Sequence, residues 1–473
     1  MLTLGASGVA ISMDLRSPSN LPPGVAPGQF RAAYRMIGRC RCRCDDPLLS
    51  LANNTGITVS EELSNIPTAR DALAPCLGRI WPWARNCIAL LFVLSAVGCA
   101  APERVASVPL ADTARALPLG IANARYFPGV QAAALKAEWE LALQRQRQVL
   151  GLTAEAELPL ANFLAISGGG DNGAFGSGLL VGWTAAGTRP EFQFVTGVST
   201  GALIAPFAFL GPDYDRQLRD VYTTISADDV FIDRGVIGGI FDDALSDTTP
   251  LWKLISHYVD EPLVAAIARE YQKGRLLLIG TTDLDAQRPS IWNIGAIAAS
   301  GNPGAVDLIR RILRASSAVP GIFQPVMIDV ELDGKHYQEL HVDGGAIAQM
   351  FLYPANIDAR KIADRERKAF LIRNAREDPE WANVERRTLS IAGRAISTMI
   401  HTSGSNDLLR IYFVTQRDDV DYNLAYIGSD FTAPHAGDFD KAYMNALFDY
   451  AYQRARHGYR WLKVPPILAS ASQ

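Results

Sequence analysis

Apolar segments of two kinds alternate along the middle of the chain. The runs at residues 163–167 and 192–196 have the length of buried strands, and each is followed by an apolar stretch of helical length, at 174–185 and 200–210. Strands that alternate with helices favour a parallel sheet covered by helices. The pattern therefore predicts an α/β domain with a mostly parallel central sheet.

Further elements are predicted on both sides of these segments. Before them, an amphipathic helix at residues 130–150 carries apolar side chains at helical spacing, which is typical of a helix that covers a core. We predict one domain over residues 131–462, followed by a tail at 463–473. Further buried strands are predicted at residues 275–281, 290–293, 337–342, 368–372 and 411–414, and further helices at 306–315, 386–401 and 439–456.

The amino-terminal region has a different composition. Residues 88–97 form an apolar run after two arginines, and small residues precede Cys99, a layout that is typical of a secretory signal. About ten apolar residues are too few to span a bilayer, which needs about 20. We predict a cleaved signal peptide at residues 77–98 and an Ala- and Pro-rich tether at 99–130.

Cys99 is the candidate lipidation site. The Ala-Val-Gly-Cys ending resembles the lipobox of bacterial lipoproteins, in which the cysteine is diacylated and becomes the first residue of the mature protein; Ala96 stands where that motif prefers Leu. The alternative is an ordinary signal peptide with an incidental cysteine. The resemblance implies a lipid-anchored protein of the bacterial cell envelope, on the periplasmic side of the outer membrane. Without the lipid, we expect a periplasmic or secreted protein.

Residues 1–76 lack a sustained hydrophobic period and are rich in Pro, Gly, Ser and Asn. We predict that they are disordered, or that they extend the reading frame upstream of the true start. Cys40, Cys42 and Cys44 are closely spaced, but no second cluster accompanies them, so a metal site is disfavoured. No disulfide is expected after Cys99, because no cysteine follows it.

Charge excludes one class of function. The 473 residues carry a net charge of -4 at pH 7, and no block of basic residues forms a stripe, so we expect no nucleic-acid partner.

The sequence Gly197-Val198-Ser199-Thr200-Gly201 lies where a predicted strand passes into a predicted helix. This placement is typical of a nucleophile elbow, in which glycines permit a tight turn and the serine hydroxyl projects from the sheet edge. A plain structural turn is the alternative. Ser199 is therefore the candidate nucleophile, with Gly197 and Gly201 supporting the turn.

Gly168-Gly169-Gly170 follows the preceding strand and opens a helix near Gly173. Backbone N–H groups in such a loop can converge on an oxyanion. The spacing also matches a dinucleotide-binding loop, but that function requires an acidic residue at the end of the next strand. The next strand ends in the serine turn instead. We predict an oxyanion hole built from Gly168, Gly169 and Gly170, with no cofactor and no metal.

A nucleophilic serine also needs a base. Asp343, at the end of the strand predicted at 337–342, is followed by Gly344 and Gly345, which leave the carboxylate accessible. A serine–aspartate–histidine arrangement would need an acid and a histidine after Ser199, such as Asp283 and His401. None of the histidines of the chain lies in a glycine-rich loop at a convincing strand end. Asp343 is the better candidate.

The glycine-rich loop, the Gly-x-Ser-x-Gly turn and Asp343-Gly344-Gly345, in this order, resemble the patatin-like phospholipase family. The resemblance extends to the segment 315–325 and covers residues 163–343. It implies a three-layer α/β/α fold and a Ser–Asp dyad, without histidine, that hydrolyses lipid acyl esters through an acyl-enzyme at a membrane surface. Asn172 stands where the family usually has Arg or Lys, so a helper cation is missing. A lipid-anchored pseudo-hydrolase that binds acyl chains or a partner is the alternative.

Overall fold

The structure is a computed structural model that describes residues 104–233 and 244–469. The predicted signal peptide, Cys99 and the other five cysteines lie outside the described residues. The strands are β1 (Arg125–Tyr126), β2 (Ala161–Ile166), β3 (Phe194–Val198), β4 (Ile232–Asp233), β5 (Ser246–Asp247), β6 (Leu276–Asp283), β7 (Arg288–Asn293), β8 (Val326–Leu332), β9 (Lys335–Asp343), β10 (Arg367–Arg373) and β11 (Val420–Tyr426).

Helices connect most of these strands, as the alternating pattern predicts. They are α1 (Pro128–Leu150), α2 (Gly173–Ala185), α3 (Thr200–Leu210), α4 (Asp215–Thr223), α5 (Thr249–Tyr258), α6 (Glu261–Gln272), α7 (Ile294–Ala299), α8 (Ala305–Ser316), α9 (Thr388–Arg417), α10 (Lys441–Arg456) and α11 (Pro466–Ala469).

The central sheet has a parallel core. Strands β11, β10, β2, β3 and β6 lie side by side in this order and run parallel. Beyond β6, β7 pairs antiparallel with β6, and β1 pairs antiparallel with β7. The carboxyl ends of the five parallel strands therefore share one edge of the sheet, where ligands bind in open α/β sheets.

Strand β9 enters this sheet from the opposite direction. Strand β3 pairs with β6 only as far as Gly280, and β9 takes over the same side of β6 from there, with Asp343 opposite Thr281. The end of β9 is thus brought against the end of β3. This register places Asp343 beside the turn that contains Ser199.

Two apolar layers cover the two faces of the sheet. Along β2, Leu164 and Ile166 belong to one buried cluster, which includes residues of α2, α3 and α10, whereas Phe163 and Ala165 belong to the other, which includes residues of α1 and α9. Alternate strand residues point to opposite faces. The predicted three-layer α/β/α fold with a mostly parallel sheet is confirmed.

One predicted element is wrong. The run Ile411-Tyr412-Phe413-Val414 has the β-branched and aromatic composition of a buried strand, but it lies inside the long helix α9. Ile411 and Val414 face the core while Phe413 is 60% exposed, which is helical rather than extended periodicity. The strand at this place is β11, which follows the helix and contains polar residues that obscure its pattern.

Trp139 of α1 tests the packing of the predicted amphipathic helix. Its ring lies 5.7 Å from Phe163, 5.3 Å from Phe194 and 5.3 Å from Tyr353, measured between centroids. We expect Trp139→Ala to lower the free energy of unfolding by about 3–5 kcal/mol, because it removes a buried aromatic side chain and leaves a cavity. Urea denaturation measures this, and Leu141→Ala on the exposed side of the same helix should cost less than about 1 kcal/mol. Equal losses would show that α1 is not packed as described.

Candidate active site

Ser199 lies at a sharp turn between β3 and α3. Its backbone has φ 55° and ψ -126°, a conformation that residues with a side chain rarely adopt. A Cβ on Gly197 would collide with the backbone of Gly201, and a Cβ on Gly201 would collide with the carbonyl of Ile166. The two glycines are therefore required by the close approach of the turn to β2, and the geometry is that of a nucleophile elbow.

The elbow is held from outside by Ser316, at the end of α8. The Ser199 amide donates to the Ser316 hydroxyl at 3.0 Å, and that hydroxyl donates to the Gly280 carbonyl of β6 at 2.7 Å. Ser316 belongs to the segment 315–325 that carries part of the family resemblance, but its contact with the elbow was not anticipated.

Asp343 completes the pair. Its carboxylate accepts a hydrogen bond from the Gly345 amide at 2.7 Å. The residue is only 5% exposed, and burial raises the pKa of its carboxyl group to about 6, although the nearby Ser199 hydroxyl and the Gly345 amide both act to lower this pKa. A Cβ on Gly344 would meet the Gly280 carbonyl, so the turn after Asp343 also requires a close backbone approach.

The glycine-rich loop differs from its prediction in one residue. The Gly168 amide donates to the Gln349 carbonyl at 3.0 Å, so it is already engaged and the predicted role of Gly168 as an oxyanion donor is wrong. The amides of Gly169 and Gly170 have no hydrogen-bond acceptor in the described part of the chain, and both residues have positive φ, 159° and 58°. Two adjacent free donors remain available to an anion.

The start of this loop is fixed by Asn374, which follows β10 and is fully buried. Its side-chain amide donates to the Ser167 carbonyl at 2.9 Å, and its side-chain oxygen accepts from the Gly176 amide at 3.0 Å. Gly169 packs directly against the Asn374 backbone, where a Cβ would not fit. Asn374 thus joins β2, the loop and α2, and no local sequence signal marks it.

The loop and the Asp343 turn are connected by Gln349. The Gln349 side-chain amide donates to the Gly345 carbonyl at 3.0 Å, and the Gln349 backbone carbonyl accepts from the Gly168 amide. The Gln349 backbone amide donates to the buried carboxylate of Asp407 on α9 at 2.6 Å. Helix α9 therefore supports both loops through the Asp407 side chain, which holds Gln349.

The far end of the glycine-rich loop is clamped by residues near α10. The Asp171 carboxylate accepts from the His435 ring at 2.7 Å and from the Phe439 amide at 3.0 Å, and Tyr443 donates to the Asn172 side-chain oxygen at 2.6 Å. The His435 and Tyr443 rings stack with centroids 4.2 Å apart. Burial raises the pKa of the Asp171 carboxyl group. At the position where a cation was expected, Asn172 is a hydrogen-bonded anchor.

Gly173, at the start of α2, lies against Thr200 and Tyr222, where a Cβ would not fit. It therefore allows α2 to approach the first turn of α3. This close approach is the structural support that its place in the motif predicts.

The alternative histidine-containing arrangement is not assembled. Among the described residues, no hydrogen bond joins Ser199 to a histidine, and Asp283 is buried beside His341 and Glu339 instead. His401 lies on α9, and no contact joins its ring to Ser199 within the described ranges.

Asp283, Glu339 and His341 are close enough to hold a metal ion, since one potential ligand atom from each lies within 4.8 Å of the others. However, the Arg125 guanidinium pairs with Glu339, and both ring nitrogens of His341 have partners, Thr281 and Glu339. The cluster already contains a cation and a hydrogen-bonded imidazole. The Arg125–Glu339 ion pair joins β1 to β9, and the His341–Thr281 contact joins β9 to β6. Asp283 accepts a hydrogen bond from the Ala286 amide at 3.1 Å.

Comparison with known families agrees with this geometry. Residues 164–356 match the sequence model of a family described as Patatin-like phospholipase. This match to a patatin-like phospholipase domain supports lipid acyl hydrolase activity. Asn374, Asp407, His435 and Tyr443 lie outside the matched range.

Among solved structures, the chain is similar to the crystal structure of VipD from Legionella pneumophila, with 10% sequence identity and a TM-score of 0.31 over 64% of this chain and 68% of VipD. A comparison with curated protein sequences gives no significant match. In residues 104–233 and 244–469, none of the helices has both the length and the apolar character needed to cross a bilayer.

The clamp on the glycine-rich loop makes a kinetic prediction. We expect Tyr443→Phe to lower kcat for a soluble ester by about 3- to 10-fold with little change in KM, because loosened amide donors lose strength mainly in the transition state. Steady-state kinetics measure this. Tyr450→Phe on the same helix is the control. The Tyr450 hydroxyl donates to Asp430 at 2.7 Å and makes no contact with the glycine-rich loop, so its removal should leave kcat unchanged. A Tyr443→Phe enzyme with normal kcat would show that the clamp does not position the donors.

Proposed function

We propose that this protein hydrolyses acyl esters of lipids with Ser199 as nucleophile and Asp343 as base. The single observation that carries the proposal is the placement of the buried Asp343 carboxylate at the end of β3, beside the strained elbow that presents the Ser199 hydroxyl. A carboxylate is a weak base, and burial brings its pKa closer to the pH at which the enzyme works. The family match supports the substrate class.

The geometry supports a two-step reaction. Ser199 attacks the ester carbonyl and its proton passes to Asp343, while the amides of Gly169 and Gly170 donate to the oxyanion of the tetrahedral intermediate. Collapse releases the alcohol, which takes the proton from Asp343, and leaves an acyl group on Ser199. Water then attacks the acyl-enzyme while Asp343 accepts a proton from it. On collapse of the second tetrahedral intermediate the bond to Ser199 breaks, Asp343 returns that proton to the Ser199 oxygen, and the carboxylic acid departs.

The proposal includes a membrane location. The apolar run at 88–97 and Cys99 support a signal peptide and a lipid anchor, which would place the domain at the surface of a bacterial envelope membrane. An anchored hydrolase meets its substrate in two dimensions, so lipid esters are favoured over soluble ones. Mass spectrometry of the membrane-extracted protein tests for diacylated Cys99.

The nucleophile is tested with a fluorophosphonate probe and a short-chain nitrophenyl ester. We expect the wild type to be labelled and active, and both properties to be lost in Ser199→Ala, because the neighbouring Thr200 hydroxyl is hydrogen-bonded to Tyr222 and the Ser316 hydroxyl to the Gly280 carbonyl. Asp343→Asn should lower turnover at least about 10³-fold while the circular dichroism spectrum is retained, since the asparagine side chain cannot accept the proton.

Ser317→Ala is the matched control, because Ser317 is buried next to Ser316 and its hydroxyl has no hydrogen-bond partner. It should retain labelling and activity. Near-normal turnover in Asp343→Asn would exclude the dyad. A protein that binds lipid but is neither labelled nor active would instead support the pseudo-hydrolase alternative.

The raised pKa of Asp343 predicts a pH profile. Only the deprotonated carboxylate accepts the Ser199 proton, so kcat/KM should be constant at neutral pH and fall tenfold per pH unit below about 6, where the carboxyl group is protonated. A carboxyl group with its ordinary pKa near 3.8 would preserve activity to about pH 4. Initial rates with an uncharged ester between pH 4.5 and 8 distinguish the two cases, and a flat profile to pH 4.5 would refute the assignment.

A further inference from the structure

Helix α9 is much longer than the strands that it accompanies. Its 30 residues extend about 45 Å at 1.5 Å per residue, whereas β10 and β11, with seven residues each, extend only about 23 Å. The second half of the helix packs on the sheet through Leu408, Ile411 and Val414. The first half, residues 388–402, therefore extends past the sheet, and we call it the α9 tip.

The direction of α9 decides at which edge the tip projects. The helix connects the carboxyl end of β10 to the amino end of β11, and these strands are parallel. Its first residues consequently lie at the carboxyl edge of the sheet, where the Ser199 elbow and Asp343 also lie. Ile347, four residues after Asp343, lines the same shallow surface depression as Met399 of the tip.

The tip is amphipathic, but its apolar side is exposed in the part of the chain that the structure describes. At 100° per residue, its larger apolar side chains and its alanines fall on one half of the helix circumference, with Gly393, Arg394 and Ser397 opposite. The exposed fraction is 53% for Ile391, 49% for Ile396 and 69% for Met399. The apolar residues are Ile391, Ala392, Ala395, Ile396, Met399 and Ile400.

Basic residues lie at and just before the α9 tip. Arg394 lies in the tip and Arg386 and Arg387 directly precede it, with no aspartate or glutamate in residues 386–402, although the whole chain has a net charge of -4. Arg387 also pairs with Glu385 at 3.4 Å, which balances part of this positive charge. Trp381, in the loop before the helix, is 89% exposed. A basic amphipathic helix with an exposed tryptophan is suited to the boundary between anionic head groups and acyl chains. Two copies of this segment would repel each other.

The amino-terminal end of the described chain lies near the same edge. Arg104 pairs with Asp285, two residues past the carboxyl end of β6, at 2.6 Å. Cys99 precedes Arg104 by five residues, which reach at most about 18 Å when fully extended. A lipid on Cys99 would therefore hold this edge of the sheet close to a membrane.

We propose that the α9 tip is a membrane-docking element that inserts its apolar side into an anionic lipid surface and thereby presents the Ser199 edge to lipid esters. The proposal deepens the proposed function and rests on it for the nature of the substrate. Docking itself requires only the exposed apolar side and the three arginines. The connection from Asp407 of α9 through Gln349 to the Asp343 turn joins the docked helix directly to the active-site loops.

Sedimentation with vesicles tests the docking. The full chain carrying Cys99→Ser, which removes the lipid, is mixed with phosphatidylcholine vesicles with or without phosphatidylglycerol. We expect Ile391→Gln/Ile396→Gln to lower partitioning onto the mixed vesicles by about tenfold or more, because two inserted apolar side chains are lost. Arg386→Gln/Arg387→Gln should weaken binding only where phosphatidylglycerol is present, and more at low salt than at high salt.

The matched control is Val130→Gln/Val149→Gln on α1, which alters two valines that are each 58% exposed on another helix. It should bind vesicles like the parent. Hydrolysis of a soluble nitrophenyl ester should be the same within about twofold in all these variants, because none of the six altered positions contacts the Ser199 elbow. Hydrolysis of vesicle phospholipid should fall with binding in the tip variants alone.

Equal partitioning of the tip variant and the control would overturn the docking proposal, and so would a wild-type dimer in analytical ultracentrifugation that the tip variant dissociates. The two proposals fail separately. If the tip variant loses vesicle binding but the parent hydrolyses no ester, docking stands and the hydrolase is wrong. If the parent is active through Ser199 but the tip does not affect binding, the hydrolase stands and docking is wrong.

Discussion

The contact between the Ser199 hydroxyl and the Asp343 carboxylate is the constraint on which the rest of the site depends. A buried carboxylate is costly to keep charged, and here the Gly345 amide donates to it and the nearby elbow hydroxyl acts to lower its pKa. This arrangement requires β9 to pair with β6 directly after the last residue of β6 that pairs with β3, so that Asp343 lies opposite Thr281. A shift of one residue would point Asp343 to the other face of the sheet. The buried ion pair between Arg125 of β1 and Glu339 of β9 helps to explain how that register is maintained.

The elements that make the site rigid come from parts of the chain far from its motifs. Asn374 after β10 and Asp407 on α9 hold the two ends of the network that joins the glycine-rich loop to the Asp343 turn, and His435 and Tyr443 near α10 hold the loop's outer end. All four lie beyond residue 356, where the family match ends. The chain beyond residue 356 is thus a supporting frame for chemistry that is proposed to occur between residues 168 and 345.

The predictability of these features follows the range of the forces involved. The turn at Ser199 was predictable because its glycines answer a local requirement for close backbone approach, and the alternation of strands and helices was predictable from hydrophobic period. The partner of the Gly168 amide was not, because Gln349 is remote in sequence and any backbone carbonyl could serve. Tyr443 and His435 carry no local signature, and an asparagine at position 172 looks like a missing cation until the tyrosine that binds it is seen. Composition alone misassigned 411–414, where helical burial outweighed strand propensity.

The two halves of α9 show how one continuous helix can serve two environments. From Gly404 onwards the apolar side of α9 faces the sheet, and the Asp407 carboxylate accepts hydrogen bonds from the backbone amides of residues 349 and 350. Before that point the same helical period continues with isoleucine and methionine, whose side chains are exposed in the described part of the chain. An exposed apolar stripe that costs solubility is expected to be lost unless something covers it. Because three arginines accompany the stripe and only Arg387 has a carboxylate partner close by in sequence, Glu385, an anionic and apolar phase matches it better than another protein core, and such a phase is where the proposed substrate lies.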